Sequence, residues 1–183
     1  DSLILISETL EEDTSKVNLL NDLSWKLKTT DFDKAVEYAE NALNLSKTLK
    51  YKSGEALANK NLGGIYYLNS KYAVAYNYYN KSLVIYQELD DKEGTAKIIR
   101  NLGSIFHQQG EYDKALDYFF QSLEIRIELN DKKGIATLYN AIGLVYIQQE
   151  YNENALEYFE KSLNISRELN DKVGMATSYY RIT

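Results

Sequence analysis

The side chains that most often carry out catalysis are scarce in this chain. Its 183 residues include one histidine, His107, and no cysteine. Ser-His-Asp and Cys-His catalysis both need a histidine beside a nucleophile, and zinc sites need histidine or cysteine ligands. The sequence contains no metal-binding HExxH motif, no phosphate-binding P-loop and no dinucleotide-binding GxGxxG motif. It therefore predicts a protein that is not an enzyme and that has no cofactor and no metal site.

Carboxylates remain as candidates for acid–base chemistry, because the chain has 27 Asp and Glu residues. Glu111, Asp113, Glu157 and Glu160 fall at helical positions that should face solvent, with lysines nearby. Such pairs stabilise a helix by only about 0.2–0.5 kcal/mol each. We interpret these carboxylates as surface ion pairs, and acid–base catalysis is the minor alternative.

The single histidine and the single tryptophan each have a structural interpretation, with contact to a partner as the alternative. His107 should lie at the surface near a turn, with contact to a partner in a groove as the alternative. Trp25, the only tryptophan, should pack in the core or at the edge near the N-terminal end, again with a groove contact as the alternative.

The organisation of the chain follows from an internal repeat. The segments 91–130 and 131–170 match each other without a gap, and 51–90 and 11–50 repeat the pattern more loosely. Partial units at 1–10 and 171–183 flank them. Self-similarity at this period indicates a stacked array in which each unit contacts its neighbours. We expect residues 1–183 to form a single array that works by binding.

Each repeat reads as two helices. The chain has no proline, and its apolar residues recur at helical spacing. In the third repeat Gln-Gln-Gly-Glu supplies the turn between the helices, and Asp131 is the expected N-cap of the next helix. The predicted helices are 2–11, 14–29, 32–49, 53–69, 72–89, 93–109, 112–129, 133–149, 152–169 and 173–183.

Seven of the nine glycines fall on two repeat positions, which are Gly54, Gly94, Gly134 and Gly174 early in the first helix of each repeat, and Gly63, Gly103 and Gly143 in its middle. A mid-helix glycine costs about 1 kcal/mol relative to alanine. We therefore expect a neighbouring helix to pass too close for a side chain. The second helix carries a matching alanine, followed four residues later by a large ring in most repeats; the pairs are Ala35 and Ala39, Ala75 and Tyr79, Ala115 and Phe119, and Ala155 and Phe159.

Leu-Gly-x-x-Tyr followed by Ala-x-x-x-Phe resembles the tetratricopeptide repeat signature, and the resemblance covers essentially the whole chain. It implies an all-α fold, a right-handed α-solenoid of stacked antiparallel helix pairs. The 40-residue form is similar to spindle-orientation adaptors of animals and to sensory arrays of bacterial signalling proteins. The opening segment 13–25 resembles arrays of Bacteroidetes-type bacteria. The late proline of the family is missing, and the carboxylate clamp of chaperone-tail binders is not matched, since Gly64, Thr137 and Ala141 replace its residues.

Composition excludes several classes of partner. The net charge of −6 argues against nucleic acid and anionic membrane surfaces. No apolar run approaches the roughly 18 residues of a membrane span. The first residue is Asp1 and no signal-peptide pattern is visible, which predicts a part of a longer or processed chain. The localisation stays open between cytoplasm and periplasm.

The resemblance also implies a binding surface, because in this family the first helix of each repeat lines a concave groove. Residues at its exposed positions are predicted to contact a protein or peptide partner, and they are Lys60, Asn61, Tyr67, Lys97, Arg100, Asn101, His107 and Asn140. Lys60, Lys97 and Arg100 should form a cationic patch that holds carboxylates of the partner.

Two classes of function follow from these expectations. The first is a protein- or peptide-recognition scaffold, serving as the input or interaction region of a larger bacterial signalling protein. The alternative is a structural self-association module, since the terminal helices lack partners and Tyr179 and Ile182 should lie on an exposed apolar face. A small-molecule sensor ranks third, because an open groove seldom encloses a small ligand.

Overall fold

The computed structural model describes residues 11–182 of the chain. Within that range every regular element is an α-helix and no strand is present, which confirms the predicted all-α fold. The nine helices of this range are α1 (Thr14–Leu27), α2 (Phe32–Thr48), α3 (Lys52–Leu68), α4 (Tyr72–Glu88), α5 (Lys92–Gln108), α6 (Tyr112–Glu128), α7 (Lys132–Gln148), α8 (Asn152–Glu168) and α9 (Lys172–Ile182). The sequence predicted all nine within two residues at each end. The predicted helix at 2–11 lies outside the described residues.

The chain divides into two compact units, Asp1–Gly94 and Thr95–Thr183. In the first unit, one core cluster includes Val17, Leu20, Ala42 and Ala58. Another cluster of the same unit joins Ala35, Ala39, Leu62 and Ile65. The core of the second unit combines Ala115, Phe119 and Leu123 of α6 with Leu138, Ile142 and Val145 of α7. Each unit therefore buries its apolar residues at helical spacing, and the prediction of one continuous array stays a prediction.

From α2 onward, consecutive helices are separated by one recurring backbone corner. A residue with positive φ follows each helix from α2 to α8, at Lys50, Ser70, Asp90, Gly110, Asn130, Glu150 and Asn170. At the first of these corners the Lys50 N–H donates to the Lys47 carbonyl and the Tyr51 N–H to the Ser46 carbonyl. This pair of bonds is the Schellman motif, which satisfies the last carbonyl groups of a helix. The motif explains why the helices end without proline.

The N-termini of several helices are capped by aspartate, and the sequence indicated one of these caps. The Asp131 side chain accepts a hydrogen bond from the Gly134 N–H at 2.9 Å, which confirms the predicted cap of α7. Asp13 and Asp31 cap α1 and α2 in the same way. A capping oxygen satisfies one of the four N–H groups that a helix start leaves unpaired.

The mid-helix glycines are explained by aromatic rings rather than by a close backbone. A Cβ on Gly63 would lie 2.6 Å from a ring carbon of Tyr79. A Cβ on Gly143 would lie 2.5 Å from a ring carbon of Phe159. The expectation of a close approach was right, but the approaching group is the large ring of the second helix. Glycine and ring together make the two helices of a repeat interlock.

A buried serine on each of three second helices adds a polar contact within the repeat. The Ser82 hydroxyl donates to the Ala56 carbonyl at 2.8 Å. The hydroxyls of Ser122 and Ser162 donate to the carbonyls of Ala96 and Ala136 at 2.8 and 2.9 Å. Each acceptor carbonyl belongs to the first helix of the same repeat. The contact therefore fixes the register of the helix pair.

Candidate functional site

Side chains suited to catalysis do not converge in the part of the chain that the structure describes. Among residues 11–182 no group of three His, Cys, Asp and Glu side chains could hold a metal ion. His107 is half-buried near the end of α5, and its ring centroid lies 6.0 Å from that of Tyr112. Burial lowers the pKa of the His107 imidazole below its usual value of 6.5. The neutral imidazole therefore predominates at pH 7.

Two of the four carboxylates singled out in the sequence, Glu111 and Glu157, pair with lysines, whereas Asp113 accepts a hydrogen bond from the Gln149 side chain at 3.1 Å. Glu111 accepts a hydrogen bond from Lys114 one turn along α6. Glu157 lies 2.6 Å from the Lys161 ammonium, and this hydrogen bond is the main reason that the pKa of Lys161 is raised. Both pairs are exposed, which agrees with the interpretation as surface ion pairs.

In the first unit the predicted groove residues differ in exposure. Lys60 is half-buried, with its Nζ 5.5 Å from the centroid of the Trp25 ring. Tyr67 is also half-buried, and its ring centroid lies 5.7 Å from that of Tyr72 on the next helix. Both side chains reach the surface, and their binding role stays a prediction.

The prediction that Asn61 is exposed in a groove is wrong, because this residue is only 2% exposed. Its Nδ2 donates to the Asn21 carbonyl at 2.9 Å and to the Ser24 hydroxyl at 3.1 Å. The Asn61 Oδ1 accepts no hydrogen bond from the described residues. The residue therefore joins α1 to α3 instead of facing solvent. The sequence could not separate it from its more exposed neighbour Lys60, because both stand near the edge of the buried face.

In the second unit α5 carries two of the predicted cationic residues, Lys97 and Arg100. Lys97 is exposed and Arg100 is half-buried. The Arg100 Nη2 donates to the Asn101 Oδ1 at 2.8 Å, so the guanidinium is held beside an amide. The joint patch of these two residues with Lys60 stays a prediction, because Lys60 belongs to the other unit.

Asn140 on α7 is committed to contacts within its own unit. Its Nδ2 donates to the Ser162 hydroxyl at 2.7 Å, and its carbonyl accepts from Arg181 at 3.2 Å. The Ser178 hydroxyl lies 3.5 Å from the Asn140 Oδ1. This residue therefore bridges α7 to α8 and α9.

The terminal helix α9 exposes apolar side chains, although not only those that the sequence singled out. Tyr179 is 47% exposed, and its hydroxyl accepts a hydrogen bond from Arg167 at 2.5 Å. Val173 and Tyr180 are more exposed, at 76% and 86%. The side chain of Ile182 lies outside the described residues. Sequence reasoning missed Val173 and Tyr180, although their spacing of two helical turns puts them on one face of the helix.

Trp25 packs at an edge, as predicted, but it also stays 42% exposed. A Cβ on Gly64 would lie 2.8 Å from the Trp25 Cζ3. The only sequence signal for this contact is that Gly64 falls outside the two repeat positions of the other helical glycines.

Stacked aromatic pairs are a further repeated feature that the sequence analysis missed. The rings of Tyr66 and Tyr78 stack with centroids 5.6 Å apart in the first unit. Phe106 stacks on Tyr118 at 5.2 Å in the second unit. Burial raises the pKa of the Tyr66 and Tyr78 hydroxyls, which are therefore neutral at physiological pH. The sequence signal was present, because the two pairs occupy equivalent positions in successive repeats.

The described part of the chain contains no helix that is long and apolar enough to cross a membrane.

Comparison with protein families gives two matches. A family model described as Tetratricopeptide repeat matches residues 54–128, and a second model of the same description matches residues 136–169. Together the two matches cover more than half of the chain. A comparison with curated protein sequences finds no match.

Solved structures with a similar fold include three that match nearly the whole chain. Aspartyl phosphate phosphatase F from Bacillus subtilis has a TM-score of 0.87 and 16% identity, over 94% of this chain and 45% of its own. A signal transduction ATPase with a tetratricopeptide repeat sensor from Pyrococcus horikoshii has a TM-score of 0.85 and 18% identity, over 98% and 28%. The Rap conjugation gene regulator of the plasmid pLS20, solved in complex with a peptide, has a TM-score of 0.69 and 19% identity, over 94% and 54%.

These similarities show the fold alone, since the identities are only 16%, 18% and 19%. The chain spans between about a quarter and about half of the length of these three proteins. Their activities and partners belong to whole proteins that are longer than this chain.

Proposed function

Because this chain belongs to the tetratricopeptide repeat family, we propose that it is a scaffold that recognises a protein or peptide through the surface of its first helices. In the intact protein it serves as the input or interaction region of a signalling protein. The proposal includes no catalysis by this chain. It assigns the binding surface to the first helices because they present cationic and amide groups.

The observation that supports the proposal most directly is that two cationic residues of α5 reach the surface. Lys97 and Arg100 stand one turn apart on this helix, and neither is buried. They lie on a chain with a net charge of −6. A local pair of cations with a neighbouring amide at Asn101 can hold a carboxylate by charge-assisted hydrogen bonds. The favoured partner is therefore a peptide or protein segment with acidic side chains.

Similar structures support the proposed partner class. The Rap conjugation gene regulator was solved in complex with a peptide, and a Rap protein was solved in complex with competence and sporulation factor. The Pyrococcus horikoshii protein is named for a tetratricopeptide repeat sensor. These names support peptide recognition and a signalling context for the same fold.

Selection from a displayed library of random 12-residue peptides tests the proposal, and it does not require the natural partner to be identified. We expect enrichment of sequences with Asp and Glu, and we expect Arg100→Glu to weaken their binding by about tenfold or more. Lys47→Glu is the control, because Lys47 is an exposed lysine on α2, a second helix. Failure to enrich any peptide, or equal binding by the Arg100→Glu and Lys47→Glu variants, would contradict the proposed surface.

Self-association is a second candidate function, favoured by the apolar face of α9. Val173 and Tyr180 are exposed on this face. Exposed apolar patches commonly mark contact sites between proteins. A homo-oligomer would cover this face with a second copy of the chain.

Sedimentation equilibrium of the chain over a wide concentration range tests this second candidate. Association that disappears in a Val173→Ser, Tyr180→Ser double variant would support it. A monomer at every concentration would remove it and leave recognition through the first helices unaffected.

A further inference from the structure

The Trp25 ring is an unusual surface feature of the first unit. It is the only tryptophan of the chain, and it stands near the C-terminal end of α1. Tryptophan is highly buried on average in folded proteins. A large ring that remains partly open to solvent offers contact area at a low cost in conformational entropy, and tryptophan is enriched at protein interfaces.

Gly64 shapes the surface on which this ring lies. An ideal Cβ at this position would be 2.8 Å from the Trp25 Cζ3 and 3.3 Å from Cη2. Ser104 and Leu144 occupy the same position in the next two repeats, so the repeat itself does not require glycine here. A glycine inside a helix costs about 1 kcal/mol relative to alanine. The absence of a side chain at Gly64 is thus specific to the placement of the Trp25 ring against α3.

The ammonium groups of two lysines lie close to the Trp25 ring, one from just past the end of α1 and one from α3. The Lys28 Nζ, just past the end of α1, lies 4.4 Å from the ring centroid and donates to the Trp25 carbonyl at 3.1 Å. The Lys60 Nζ, from α3, lies 5.5 Å from the same centroid. Both distances are within the range of cation–π attraction, about 6 Å. Two positive charges therefore stand beside an exposed apolar ring on an acidic protein.

A buried polar network holds α1 and α3 in register beneath this surface. Asn61 follows Lys60 in sequence, and its Nδ2 donates to the Asn21 carbonyl and to the hydroxyl of Ser24, the residue before Trp25. Ser24 in turn donates to the Asn21 carbonyl at 2.7 Å. The network joins α1, which carries the ring, to α3, against which the ring lies. A preorganised surface loses little entropy when it binds a partner.

We infer that Trp25, Lys28 and Lys60 form a docking site for a peptide segment that carries a carboxylate beside an apolar side chain. The apolar side chain would lie on the ring, and the carboxylate would accept hydrogen bonds from the two ammonium groups. The two lysines disfavour a basic segment by charge repulsion. This inference rests on the proposed recognition function, and it gives the part of the first-helix surface that lies in the first unit a defined partner chemistry.

The single tryptophan makes the inference directly measurable, because its fluorescence reports on Trp25 alone. Peptides obtained by the display selection are titrated into the full chain, and binding is followed by Trp25 emission and by the anisotropy of a label on the peptide. We expect the selected sequences to place Asp or Glu next to an apolar residue. We also expect saturation to shift the Trp25 emission to shorter wavelength, since a bound side chain removes water from the ring.

Lysine variants separate this site from general electrostatic attraction. Lys28→Gln and Lys60→Gln should each weaken binding by about tenfold. Lys26→Gln is the matched control, because Lys26 is exposed in the same last turn of α1, and it should bind as the unmodified chain does. Peptides in which Gln replaces Glu should lose affinity to the same extent as the lysine variants. Far-ultraviolet circular dichroism verifies that each variant keeps its helices.

Different failures have different meanings in this experiment. Peptide binding that raises the anisotropy without changing the Trp25 emission, with all three lysine variants equal, would overturn the inference and leave the proposed function standing. A shift of Trp25 emission with phosphatidylserine vesicles but with no peptide would assign the surface to a lipid headgroup and overturn it as well. A selection that enriches no peptide would overturn the proposed function, and this inference with it.

Discussion

The ring of Phe119 lies where a side chain on residue 103 would have to be. An ideal Cβ on Gly103 would lie 2.7 Å from the Phe119 Cε1 and 2.8 Å from Cδ1. Phe119 is 2% exposed, so the ring has little freedom to move aside. The glycine of the first helix and the ring of the second helix therefore act as one packing unit.

Gly103→Leu should lower the free energy of unfolding by about 1–3 kcal/mol or more, because a leucine overpacks the site of the Phe119 ring. Phe119→Ala should cost about 3–5 kcal/mol by creating a cavity. The double variant should lose less than the sum, since the leucine enters the space that the ring leaves. Urea unfolding followed by circular dichroism gives all three values. Strict additivity would show that the two residues are not coupled.

Ser122→Ala should destabilise the second unit by about 1 kcal/mol, because it removes a buried hydrogen bond and leaves the Ala96 carbonyl without its hydroxyl donor. Ser104→Ala is the control, since the Ser104 hydroxyl donates within its own helix, to the Arg100 carbonyl at 3.2 Å. Chemical denaturation of the two variants measures the difference. Equal midpoints would mean that the hydroxyl bond between the helices adds nothing.

Glu150→Gly should stabilise the chain, by about 0.5 kcal/mol, because it relieves a left-handed backbone. Glu150 is exposed and has a φ of 65°, a conformation that costs a residue with a Cβ about 1–2 kcal/mol. Part of that gain is cancelled because glycine increases the entropy of the unfolded chain. Gly110→Ala is the reverse control, as Gly110 has a φ of 77° and open space around a Cβ among the described residues. It should lower the urea midpoint, and a lower midpoint for Glu150→Gly would refute the reasoning.

His107 should lower the free energy of unfolding as the pH becomes more acidic. Burial lowers its pKa in the folded state below the unfolded value of 6.5, so the unfolded state binds more protons as the pH falls. The full contribution of the neutral ring is present above pH 6.5 and is lost as the pH falls through 6.5 toward the folded-state pKa. His107→Gln should remove this part of the slope.

The measurement for His107 is the difference in urea midpoint between the two proteins at one pH well above and one pH well below the unfolded-state pKa of the imidazole. The unmodified chain should lose more stability over this interval than His107→Gln does. The same loss in both proteins would assign the pH dependence to the carboxylates.

The repeat pattern predicted the fold because small, aromatic and apolar residues recur at spacings that fit stacked helix pairs. The recurrence of Gly143 and Phe159 at fixed spacing indicates a contact between a glycine and a ring, and the apolar period of α7 and α8 places both on facing sides. The sequence did not reveal whether a ring or a backbone fills the space, since either would exclude a side chain from the glycine position.

The candidate binding surface was harder to predict. Lys97 and Arg100 reach the surface as expected, but Asn61 is buried because it bonds to Asn21 and Ser24 on α1. Those partners come from the first repeat, 11–50, which matches the repeating pattern only loosely. The loose match also concealed the contact between Trp25 and Gly64, so family geometry alone could not place these residues.

The recurring corner between helices has a consequence for how such a chain can change over evolutionary time. Within the described residues seven positions adopt it, with lysine, serine, aspartate, glycine, asparagine or glutamate at the left-handed residue. The geometry is therefore set by carbonyl groups of the backbone and tolerates many different side chains. Duplication or deletion of a whole repeat bounded by two such corners would rejoin the chain at an equivalent point, so the length of the array can vary without a new kind of junction.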